Sequence, residues 1–211
     1  MNNLTAHVQA APAPAQIIQP TAISPITNPD QAYLDATTKI DISQLDFGSM
    51  HNSITDGTLT VTFSDPLEKA GPVPTGWATW SSPPESESAN PDVLYRDGNT
   101  LTLILSAPVT IFGFELEPAP FGTNTFTVDF YNDNILLGGV SRMVDGDAGA
   151  RLFALSSTSP DLPINRVQIN GPSDFAIAQV RYQLEAQEID PALVLFIILV
   201  LILIIALLLF L

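Results

Sequence analysis

The sequence predicts an all-β domain, an antiparallel jelly-roll-like β-sandwich, followed by one C-terminal transmembrane α-helix. Three observations predict it. Between residues 37 and 185 lie about nine short runs in which polar and apolar side chains alternate, rich in Thr, Val, Ile and Phe. Turn-forming residues separate them, as in Asp97-Gly98-Asn99 and Asp145-Gly146-Asp147. The last twenty residues are unbroken apolar sequence. Successive side chains of a strand point to opposite faces, so period-2 alternation marks a half-buried strand.

Taken in order, residues 1–36 hold five prolines (Pro12, Pro14, Pro20, Pro25 and Pro29) among Ala, Gln, Thr and Asn. Such a mix buries too little apolar surface to offset chain entropy, and predicts a disordered Pro-rich arm. Strands are expected over residues 39–45, 58–63, 100–105, 109–116, 125–131, 135–140, 151–155, 165–169 and 175–182. With no convincing helix between them, an antiparallel sandwich is the expected arrangement. The stretch from Ser64 to Asn99 is too long for a hairpin; it carries six prolines, both tryptophans and the acidic run Glu85–Glu87.

Residues 186–191 read as a linker that ends in Asp190, an acceptable N-cap, and Pro191, tolerated in a first helical turn. Ala192 to Leu211, including Leu193, Phe196, Leu201 and Ile205, is then a single-pass membrane span. Twenty helical residues cover about 30 Å, the thickness of a hydrocarbon core. Favourable insertion of Leu, Ile, Phe and Val totals very roughly 6 to 10 kcal/mol. With no leader-like pattern at Met1–His7, a tail-anchored topology is expected, with the side of the soluble domain open.

Composition restricts partners. The chain carries 22 acidic and 7 basic residues, a formal net charge of -15. That balance repels nucleic acid, and makes any contact with a lipid bilayer hydrophobic rather than electrostatic. Cysteine is absent, which removes disulfides, thiolate nucleophiles and Cys-based zinc sites.

The segments Gly76-Trp77-Ala78-Thr79-Trp80, Ser106-Ala107-Pro108-Val109-Thr110-Ile111-Phe112-Gly113-Phe114-Glu115 and Asp174-Phe175-Ala176-Ile177-Ala178-Gln179-Val180-Arg181-Tyr182 carry a resemblance. In that order they resemble uncharacterised bacterial jelly-roll β-sandwich domains found in secreted or surface-sorted envelope proteins. The resemblance covers about half the chain and implies a surface or envelope domain with no assigned chemistry. This chain departs from it twice. It has no basic cluster after the apolar run, and Gln179 stands where many such domains have an Asp, which weakens a structural calcium site there.

Candidate site residues fall into three groups. Trp77, Trp80 and Tyr95 form either an aromatic platform for sugar rings or a staple that holds the long loop to the sheet. Asp129, Asp133, Asp145 and Asp147 are either a calcium set or solvated turn residues; no other cofactor is expected. Glu115 and Glu117 share a strand face, about 7 Å apart, which suits a glycosidase pair or edge charges. His51 lacks the glycine context of a nucleophile elbow and reads as a loop residue. The expected function is a non-enzymatic, membrane-anchored structural or interaction domain of a bacterial envelope or spore layer, with the bilayer and a glycan or envelope protein as partners. The alternative is a carbohydrate-binding module that uses the aromatics of the 64–99 loop.

Overall fold

A computed structural model describes residues 22–185. The expected linker 186–191 and apolar helix 192–211 lie outside the described residues, as does the arm up to residue 21. Among the described residues no helix is long and apolar enough to cross a membrane.

The elements are β1 (Ile23–Ile26), α1 (Gln31–Ala36), β2 (Thr38–Lys39), β3 (Met50–Thr55), β4 (Thr60–Lys69), β5 (Val93–Arg96), β6 (Thr100–Pro118), β7 (Thr123–Asn132), β8 (Ile135–Asp145), β9 (Arg151–Ser157), β10 (Ile164–Asn170) and β11 (Phe175–Leu184). All pairings are antiparallel, and most divide along β6; β4 also pairs with β5 through Glu68 and Lys69, which joins the two sheets a second time. The first half of β6, Thr100 to Leu105, lies between β4 and β10, in a sheet ordered β3-β4-β6-β10-β7-β8. Its second half, from Val109, lies between β11 and β9, with β2 and β5 beyond β11 and β1 beyond β9. Pro108 stands where the strand changes partners, a position that gives up no ladder donor. The two expected strands 100–105 and 109–116 are therefore one.

The inner faces of the two sheets meet in one core. Val61, Phe63, Leu103, Phe126, Val128, Phe130, Val167 and Ile169 from the first pack with Phe112, Phe114, Leu116, Phe153, Phe175 and Ile177 from the second. This is the sandwich that the alternation predicts, with inward residues two apart along each strand.

Two expectations are corrected. Residues 23–36 belong to the domain rather than to a disordered arm. β1 pairs in register with β9, and Pro25 is tolerated there because β1 is an edge strand. Asp30 caps α1 by accepting from the Tyr33 backbone N–H, and Tyr33 is buried against Leu152 and Ala154. The second correction concerns residues 39–45, of which only Lys39 is strand. Asp41 accepts from the Ser43 backbone N–H and turns the chain, so Ile40 and Ile42 reach the core from an irregular segment.

Candidate functional site

Along the second half of β6 the residues between the core phenylalanines point outward. These are Gly113, Glu115 and Glu117, flanked by Ala176 and Ala178 of β11 and Ala154 of β9. Small side chains leave this outer face low, so other segments lie directly on it. Tyr33 covers Gly113, where an added Cβ would sit 2.4 Å from the Ala154 Cβ and 2.7 Å from the Tyr33 hydroxyl. The loop from residue 70 to residue 92 covers the rest, through a cluster of Ala70, Val73, Trp80, Val93, Ala176 and Ala178.

Polar groups fix the loop. Trp77 donates its indole N–H to Glu117 Oε2 at 2.6 Å, and Trp80 donates to Glu115 Oε2 at 2.8 Å. Glu115 Oε1 accepts from the Glu87 backbone N–H, and Glu117 Oε1 accepts from the Gly149 N–H at 3.1 Å. Glu87 takes a bidentate grip from Arg181, at 2.7 and 3.0 Å, and a third bond from Lys39. At the loop's far end the Lys69 ammonium, 2% exposed, meets Asp92 at 2.6 Å. Burial pushes the Glu115 carboxyl up to about 7, against its hydrogen bonds from Trp80 and the Glu87 backbone. Burial does the same to Glu117, also to about 7, against Trp77 and the Gly149 N–H. At Glu87 burial is outweighed by the bonds from Arg181 and Lys39, so that carboxyl lies below its ordinary value.

The structure thus gives each residue of the expected aromatic platform a place. Trp80 is 4% exposed and turns no face outward. Trp77 is half-buried and tilts against Tyr95, with ring centroids 5.9 Å apart, while Tyr95 donates its hydroxyl to Asp174. Trp80 therefore acts as a staple, and Trp77 alone of the two indoles reaches the surface. Glu115 and Glu117 are both fully buried and already hold the loop's donors, so neither offers an oxygen to a glycosidic bond.

Two exposed aromatics join Trp77. Phe47, 64% exposed, lays its ring on Gly76, where a Cβ would come within 2.3 Å of it. Gly76 also has φ of +91°, which favours glycine. Phe121, 73% exposed, stands across a cleft of about 120 Å³ whose lining includes Gly76, Trp77 and Thr79. Phe47, Trp77 and Phe121 come from three separate segments, and two of them are isolated apolar residues in turns. No sequence pattern announces that grouping.

The four aspartates are spread along the β7–β8 hairpin. Asp129 faces Gly139 mid-strand, Asp133 lies in the connecting turn bonded to Asn165, and Asp145 and Asp147 sit at the far end. They do not converge, and among the described residues no group of three or more His, Cys, Asp or Glu could hold a metal ion. His51 Nε2 lies 2.6 Å from Ser49 Oγ, but that hydroxyl also donates to the Asp46 carbonyl. The imidazole is then the donor to the serine, the reverse of a base acting on a nucleophile.

No family model and no curated protein matches the chain. Among solved structures it is similar to a mutant of CBM29-2, a family 29 carbohydrate-binding module. Identity is 12%, the match covers 74% of this chain and 98% of that one, and the TM-score is 0.32. It is also similar to the C-terminal CBM6 of LamC, a laminarinase of the marine Zobellia galactanivorans. There identity is 16%, coverage 64% and 98%, and the TM-score 0.16. At these TM-scores neither superposes closely enough to carry an argument about this chain's ligand.

Proposed function

We propose that the chain is a non-catalytic glycan-binding module, held at a lipid bilayer by residues 192–211. One observation carries the glycan reading: the rim of Phe47, Trp77 and Phe121 around Gly76. Sugar rings present apolar C–H faces that pack on aromatic rings, while their hydroxyls reach polar neighbours such as Thr79. Trp77 is fixed in advance by its bond to buried Glu117, so little freedom is lost when a ring settles against it. The net charge of -15 favours neutral over acidic glycans and disfavours nucleic acid. The bilayer contact rests on the apolar run alone.

The test uses the full chain in a detergent without a sugar headgroup, applied to an array of neutral polysaccharides. Phe121→Ala removes a largely exposed ring, so the fold is expected to hold while binding weakens at least about tenfold, a loss of about 1.4 kcal/mol. Binding undiminished in both Phe121→Ala and Phe47→Ala refutes the rim. Flotation with phosphatidylcholine vesicles, lost when residues 192–211 are deleted, tests the tether.

A second reading, a structural or interaction domain of a bacterial envelope or spore layer, is favoured by the burial of Trp80 and the saturation of both glutamates. On that reading the loop's polar groups serve only to fasten it. An array on which the intact chain binds nothing would favour it.

A further inference from the structure

At the opposite end of the loop a recess of about 220 Å³ opens between the segment after β2, residues 87–92, and β11. Its lining is polar: Lys39, Asp41, Glu87, Asn90, Asp92 and Gln179 all face it. No aromatic ring takes part, and it is separate from the rim of Phe47, Trp77 and Phe121.

Gln179 is the unusual member. Between the pairs Ala178–Glu115 and Arg181–Gly113, β11 places Gln179 and Val180 opposite the single residue Phe114 of β6. This is a β-bulge, and its first residue has φ of +51°. A bulge of that kind normally puts glycine in the left-handed position. The sequence keeps a side chain where the backbone asks for none. That side chain has no hydrogen-bond partner among the described residues. A strained residue with an idle amide, bordering a recess, points to a role outside folding.

The charges around it define what fits. Three carboxylates border the recess, which opposes an anion. Those carboxylates do not gather into a cation site among the described residues. Glu87 is already committed to Arg181 and Lys39, and Asp92 Oδ1 to Lys69, so the ionic groups are largely balanced. What stays open is a mixture: ammonium hydrogens on Lys39, the second oxygen of Asp92, and both ends of the Gln179 amide. Vicinal hydroxyls, each of which donates one bond and accepts others, match that mixture.

We infer that this recess is a second sugar subsite, aromatic-free, in which Gln179 reads a pair of hydroxyls on a neutral pyranose. The inference rests on the glycan reading above and extends it to a second point of contact.

The test is saturation-transfer NMR on the full chain in the same detergent. Glucose, mannose, galactose and N-acetylglucosamine are used one at a time, in the Phe121→Ala background that disables the rim. At least one sugar is expected to keep a signal there, and adding Gln179→Gly is expected to abolish it. Glycine relieves the left-handed backbone, so the thermal midpoint of the double variant stays level or rises, which separates lost binding from lost folding. A signal that survives Gln179→Gly overturns the subsite. Silence in Phe121→Ala, with binding by the unaltered chain, overturns the subsite and leaves the rim standing. Silence of the unaltered chain both here and on the array overturns the glycan reading and this inference together.

Discussion

Two carboxylates beneath one loop make the stability of this domain depend on pH in an unusual direction. Glu115 and Glu117 are each raised from an ordinary value of 4.5 to about 7 by burial. Between those values the folded chain retains protons that the unfolded chain has released. The stability these two groups contribute is therefore full below pH 4.5 and is lost as pH rises through about 7. A shift of this size corresponds to about 3 kcal/mol for each group at most. Near pH 5.8 each folded carboxyl holds almost one more proton than its unfolded counterpart, so two of them give a slope of about -2 kcal/mol per pH unit. Asp41, Asp56 and Glu87 are lowered instead and act in the opposite sense, below their ordinary values and so outside this window. The assay is urea unfolding from pH 5 to 8 in detergent micelles, followed by tryptophan fluorescence. The chain's two indoles are bonded to the two carboxylates in question. Glu115→Gln should remove about half the slope, and the double variant with Glu117→Gln nearly all of it. Stability that is flat or rising between pH 5 and 7, or a double variant with the original slope, refutes the reasoning.

Other outcomes follow from packing and pairing. Asp92→Asn leaves the Lys69 ammonium buried without its counter-ion and should cost about 3 to 5 kcal/mol. Lys69→Met keeps the volume and leaves a partly exposed carboxylate that water can reach, so it should cost under about 1.5 kcal/mol; urea midpoints in the reverse order would contradict the buried-charge account. Gly113→Ala forces a methyl group against Ala154 and the Tyr33 hydroxyl, for an expected loss of about 1 to 3 kcal/mol seen as a lower thermal midpoint. Tyr33→Phe should recover part of that loss, since the hydroxyl it removes is buried with no hydrogen-bond partner among the described residues.

β7, β8, β10 and the first half of β6 were legible because one face of each is buried and the other is not, whereas the second half of β6 and β11 are buried on both faces and were legible because large core side chains alternate there with small or polar ones. β3 was not, since Ile54 is its only fully buried residue and an edge strand needs no more. β5 has four residues, too few for a period to register. α1 has six, and is held by the Asp30 cap and Tyr33 rather than by an apolar stripe. Within the site, the tryptophans of the long loop and the paired glutamates drew notice separately. Their partnership rests on contacts between residues 35 and 40 positions apart in the chain, which local patterns do not encode. The rim eluded sequence reasoning for the same reason, because Phe47 reaches Gly76, and Phe121 lines one cleft with Trp77, only in the folded chain.

The continuity of β6 has a mechanical consequence. β11, the last described strand, runs its whole length beside β6, and its final residue, Leu184, pairs with Val109, next to the point where β6 passes from one sheet to the other. Tension entering at Leu184 along the strand direction is borne in shear. The rungs between β11 and β6 share the load at once instead of opening one after another, and β6 passes it into both layers.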